Sequence, residues 1–173
     1  MNVRLFAAAL AFLAVTAPLG GAHASQASRN ATREQVRTLL QTAGSRTDVN
    51  IAFRPSSKAP YNFTGVASGL TFADSLEVVV IVTASDTVSI RVYPHYHGGY
   101  INLDKVKDSA GLMRKLLNFT DDNFFYWGAD ESGDVFSGYT VTLESGFPQE
   151  SMVTVLRSIR STDKFVGQLR PFI

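Results

Sequence analysis

Not one of the 173 residues is a cysteine, and that absence constrains the fold more than any motif the chain contains. It excludes disulfides, thiolate metal sites and a lipoprotein thiol. The exclusion matters because the chain opens on what reads as an export signal, and small exported domains commonly rely on disulfides. Arg4 supplies a positive start, Leu5 to Leu19 is apolar apart from Thr16 and Pro18, and Ala22-His23-Ala24 has the small-x-small pattern of a cleavage site. The apolar run is short for a bilayer span, which takes about 20 residues, and Pro18, Gly20 and Gly21 interrupt it. The expectation is a cleavable signal over 1–24 and a mature protein beginning at Ser25. That protein is periplasmic or secreted, with no stable membrane anchor. Its fold must hold by its core alone. A domain of about 150 residues buries roughly 68–70% of its unfolded surface, which suffices without cross-links.

Charge narrows the partners. The chain has 16 basic and 15 acidic residues, and Arg4 is the only charged residue before Ser25. The mature net charge is therefore zero with histidine neutral, and acids interleave with the scattered Lys and Arg. A nucleic-acid binder needs a concentrated basic face to displace counterions, so no nucleic-acid partner is expected.

Residues 25–31 read as a flexible polar lead-in to one domain over 32–173. Thr32 and Gln35 have capping-box spacing, and Val36, Leu39, Leu40 and Ala43 follow as an apolar stripe of helical period. Gly44 stands where a left-handed cap would end that helix. Val49, Ile51 and Phe53 alternate with polar residues, and 55–60 reads as a loop. Residues 62–67 are either a second extended piece or part of the same irregular edge. Leu76 to Val82 is β-branched and nearly all apolar, as in a strand covered on both faces. A turn at 85–87 leads to the alternating Val88, Ile90 and Val92 of a half-buried return strand. After a loop at 94–99, a helix is expected over 104–117 with Val106, Ala110, Met113 and Leu117 on its apolar face. Residues 123–129 read as an aromatic strand, 130–133 as its turn, and 135–143 as the return strand. Pro148 opens a last helix with Met152, Val155, Leu156 and Ile159 buried, interrupted near Thr162-Asp163 before Phe165 and Leu169.

Hairpins separated by helices argue an α+β fold, a twisted antiparallel sheet packed with helices in the order α-β-β-β-α-β-β-α. In the C-terminal half, Leu117-Asn118 followed by Asn123, Phe124 and Tyr126 forms a helix exit into an aromatic strand. Asp134-Val135 follows Gly133 at a hairpin turn, and Glu144-Ser145-Gly146 precedes the Pro148 helix. In these features, across roughly 32–172, the chain resembles the YbjN family, whose fold is that of the type III secretion chaperones. It departs from that pattern at 55–69 and 94–103. The resemblance implies a non-enzymatic protein-interaction or chaperone-like module with a protein partner, working alone or as a homodimer, and points to bacteria.

The residues themselves offer few sites. His95 and His97, two apart on an extended segment, point the same way and could meet one metal ion with Asp104 as the nearest third ligand. Two ligands alone do not make a site, so no metal and no cofactor is expected, and a metal- or small-molecule-binding protein using this loop and the aromatic strand is the alternative function. Asp130, Glu131 and Asp134 lack calcium-loop spacing and read as a solvated turn. No nucleophile elbow or phosphate loop is present, so no catalytic residue is assigned. Phe124, Phe125, Tyr126 and Trp127 are the candidate partner-binding residues. A strand puts two of them on each face, one pair in the core and the other either under helices or exposed to a partner. The glycosylation patterns at Asn30, Asn62 and Asn118 matter only in a eukaryotic pathway and are set aside.

Overall fold

The computed structural model describes residues 25–173; the export-signal expectation for 1–24 lies outside them. Helix α1 (Gln26–Gly44) is followed by β1 (Arg54–Pro55), β2 (Asn62–Ala67), β3 (Ser75–Val82), β4 (Thr87–Tyr96) and β5 (Gly99–Tyr100). Then come α2 (Ser109–Asp122), β6 (Tyr126–Ala129), β7 (Val135–Thr142), α3 (Gln149–Ser158), a 3-10 turn (Ile159–Thr162) and α4 (Asp163–Leu169). With the two-residue strands β1 and β5 set aside, this is the expected α+β order, its last helix broken into three pieces. The seven strands form one antiparallel sheet, ordered β1-β2-β3-β4-β7-β6 with β5 on β4. Among the described residues no helix is long and apolar enough to cross a membrane.

Register divides the sheet into two unlike faces, because cross-strand partners point the same way. Phe63 pairs with Val80, Val80 with Ile90 and Ile90 with Tyr139, while Val92 pairs with Ser137 and Ser137 with Trp127. This inner face carries Leu76, Val78, Val80, Val82, Val88, Ile90, Val92, Val135 and Val141. They share one core with the helical stripes Val36-Leu39-Leu40, Leu112-Leu116-Phe119 and Met152-Val155-Leu156-Ile159. Each fully buried Leu, Ile or Phe side chain there is worth about 1.5–3 kcal/mol of apolar burial. The outer face faces away from that core. Strand β3 was expected to be covered on both sides, but its burial alternates strictly, and Glu77, Val79 and Ile81 remain partly exposed.

Four further expectations are corrected. The 25–31 segment is no flexible lead-in but the first turns of α1, with Ser25 as N-cap accepting from the Ser28 N–H. Long-range contacts order it. The Arg29 guanidinium donates to the Val82 carbonyl at 3.1 and 2.8 Å and stacks 3.6 Å over the Tyr61 ring, while the Tyr61 hydroxyl meets Gln26 and Asn30.

Gly44 is not a left-handed cap. It is the last residue of the helix, where the chain of Ile51 packs so close that a Cβ would stand 2.4 Å from the Ile51 carbonyl oxygen, and the left-handed residue of that connection is Asn50.

Helix α2 begins at Ser109, where Asp108 caps the Gly111 N–H. Val106 therefore lies outside it. Leu112, Leu116 and Phe119 form the buried stripe, and Met113 and Leu117 face solvent.

Finally, residues 94–96 are not loop but the end of β4. His97-Gly98 is a two-residue turn into β5 with φ of 53° and 83°, the doubly positive geometry that a tight hairpin favours.

Candidate interaction surface on the open face of the sheet

The aromatic run divides its rings, though not as a strand would. Phe125 and Trp127 are buried at 2% and 6% exposure, whereas Phe124 and Tyr126 are exposed at 52% and 37%. Regular alternation would place the exposed pair on one face. Strand β6 starts only at Tyr126, however, because Asn123 bends the chain: its Oδ1 accepts from the Phe125 N–H and its amide donates to the Phe119 carbonyl. The Phe124 ring consequently lies on the helix side, edge-on to Tyr139 at 5.7 Å and beside Thr154 and Val155 of α3. Tyr126 alone reaches the outer face, where it covers Gly138.

There it joins a cluster drawn from four strands. Tyr126 meets Phe136 edge-on at 5.9 Å, Phe136 meets Tyr93 at 5.6 Å, Tyr93 meets Tyr100 at 5.9 Å, and Tyr100 meets His95 at 4.3 Å. Phe136 is 7% exposed yet stands apart from the hydrophobic core; the aromatic cluster buries it. Arg91 lies over its ring, guanidinium carbon 4.7 Å from the centroid. Farther along the face Val66 is 53% exposed, and Val79 and Ile81 are half-buried. Sequence reading missed Arg91, Tyr93, Tyr100 and Phe136 because they are scattered along the chain. Their signal was parity: Arg91, Tyr93 and His95 alternate with the apolar Ile90, Val92 and Pro94, and Phe136 alternates with Val135.

The polar groups on this face are organised. Glu77 accepts from the Tyr100 hydroxyl at 2.6 Å, and the His95 Nε2 lies 3.4 Å from the same carboxylate oxygen. Hydrogen bonding to Glu77, with burial second, pushes the Tyr100 phenol up to about 12. Burial likewise raises the Tyr93 phenol, against the pull of the Arg91 guanidinium.

The structure does not bring the two histidines together. His95 is on the outer face with Glu77 and Tyr100, whereas His97, turned by its positive φ, stacks 4.1 Å from the Tyr96 ring. Tyr96 shares the parity of Pro94 and Val92, the inner side. Asp104 lies instead beside the Gly133 turn. Among the described residues no three His, Asp or Glu side chains stand together as a metal would require. Asp130, Glu131 and Asp134 do form a turn, with Asp130 Oδ1 accepting from the Ser132 and Asp134 N–H groups.

No protein-family model matches the chain, and no curated protein matches it.

Proposed function

We propose that the protein is a non-enzymatic, exported protein-interaction module of chaperone-like character, and that its contact surface is the outer face of the sheet. One observation carries the reading: a whole sheet face lies outside the helical layer and displays Tyr93, Tyr100, Tyr126 and Arg91, packed around the buried Phe136, beside the exposed Val66. Tyr and Arg are the residue types that dominate binding energy where proteins meet, and soluble chains seldom leave a sheet face this apolar without a use for it. The chaperone-like character is carried over from the resemblance of the sequence to YbjN-type domains, and fold alone does not name an activity. Export rests on the pattern of the first 24 residues. Tyr126 is the one member of the aromatic run that this reading retains as a contact. Phe124 stands on the other side of the molecule, and Phe125 and Trp127 are core.

The test is photo-crosslinking in the producing cell, with a photoreactive amino acid at Val66 or Tyr100 and, for comparison, at Arg114 on the exposed side of α2. Discrete adducts from the two sheet positions, absent from the helix position, support the reading. Equal labelling from all three, or none from the sheet, overturns it. Fractionation of the same cells reads out whether the adducts lie outside the cytoplasm.

A further inference from the structure

Strand pairing sorts the outer face by chemistry. Val79 and Ile81 are successive outer residues of β3, and Val66 stands beside them on β2, opposite Glu77. Together they form one apolar strip, with Val66 its most open member. Across β4, Ser89 and Thr140 lie level with Ile81. Arg91 and Gly138 lie level with Val79, in a row that ends at Tyr126 on β6. Anything that covers the face therefore meets aliphatic groups on one side and a phenol on the other.

The charges within this frame are already answered by the chain itself. Glu77 accepts from the Tyr100 hydroxyl and has His95 beside it. Arg91 lies over the Phe136 ring and meets the Tyr93 hydroxyl at 3.4 Å. Hydrogen bonding to Tyr93 raises its pKa against the effect of burial, and the nearby Asp130 adds to the rise. Asp130 and Glu131 line the cleft beside it, and its Nε is closed off from solvent. The remaining charged side chain of the face, Arg54, stands at the rim on the edge strand β1, level with Thr64. A charged group brought over the centre would be stripped of water and would find its counter-charge engaged. An apolar group would bury the Val66 strip without that penalty.

We propose that the partner protein meets this face with an uncharged surface of aliphatic and aromatic side chains, one set covering Val66, Val79 and Ile81 and the other packing on Tyr126. This rests on the reading of the outer face as the contact surface, and the experiment separates the two.

Random peptides displayed on phage are selected on the purified protein, and their sites are mapped by amide chemical shifts. Those that bind the outer face are expected to be apolar and uncharged where they cross it. Their affinity should change by less than about threefold between about 0.05 and 0.5 M salt, because no ion pair is there to be screened. Calorimetry should show the negative heat-capacity change of apolar burial. Val66→Lys and Val66→Glu should each weaken binding about tenfold or more, in the same direction despite opposite charge. Val66 is exposed, so neither change disturbs the core. Placing Lys or Glu at the central apolar position of the peptide reads the same contact on unaltered protein. An outer-face peptide that needs a charged residue, or that binds one of the two Val66 variants more tightly, overturns the inference and leaves the contact surface standing. Affinity that falls steeply with salt does the same. No peptide on that face, or shifts confined to the helices, overturns both.

Discussion

The ring of Tyr126 rests on Gly138, and a Cβ added to that glycine would stand 2.5 Å from the ring's Cζ. Gly138 pairs with Tyr126 in register on β6 and with Arg91 on β4. Glycine weakens most strand interiors, but here its missing side chain makes room for the phenol. Gly138→Ala should therefore destabilise by about 1–3 kcal/mol through overpacking, against the ordinary trend. In a Tyr126→Ala background the same change should be neutral or stabilising. Denaturant melts of the two single variants and the double variant measure that coupling.

Truncation should divide the aromatic run by burial. Phe125→Ala and Trp127→Ala each remove a ring from the core, where Trp127 packs on Phe119 and Phe165, and each should cost about 3–5 kcal/mol. Phe124→Ala and Tyr126→Ala should cost much less. Of these two, only Tyr126→Ala should weaken a partner bound to the outer face. Thermal melts paired with binding measurements on the four variants distinguish core from contact.

Asp163 ties the start of α4 to the loop before β3. Its carboxylate accepts from the Thr71, Phe72 and Ala73 N–H groups at 2.7–3.2 Å, and the residue is 7% exposed. Asp163→Ala leaves those donors without an acceptor and should destabilise by about 3 kcal/mol or more. Asp163→Asn, which keeps one acceptor oxygen, should cost less. Amide exchange at residues 71–73 should rise first in both variants.

The Tyr100–Glu77 pair should be visible in alkaline titration. The folded phenol sits above its ordinary value near 10 and reaches about 12, so folding favours the protonated form. The stability this adds is fully present below pH of about 10 and is lost as the pH rises through about 12. Ultraviolet difference titration should show Tyr100 ionising late, identified by its loss in Tyr100→Phe, and Glu77→Gln should bring that tyrosine earlier while leaving Tyr93, raised mainly by burial, where it was. A Tyr100 ionisation unmoved in Glu77→Gln would refute the assignment.

Much of the fold was legible in the sequence, and the errors have physical causes. The α3 stripe Met152-Val155-Leu156-Ile159 follows from helical period and a proline start, and all four are buried. The α2 face was misplaced because Val106, outside the helix, was counted in its period. The first turns of α1 read as loose because Gln26 to Thr32 is polar. Their order comes from Tyr61 and Val82, which no local pattern reveals. Of the proposed contact surface, only Tyr126 was reached. The remainder is assembled by strand pairing from residues of opposite parity to the core, and a run of four adjacent aromatics drew the eye away from them. Asn123 then broke the alternation on which that run was read.

The clamp on Arg29 also sets a timetable. Its partners lie 32 and 53 residues further along the chain, and a polar helical turn of this length has little stability alone. For a chain that emerges N-terminus first, the opening turns of α1 stay unlatched until Val82 has followed them and β3 can close, so this helix waits on a strand made later.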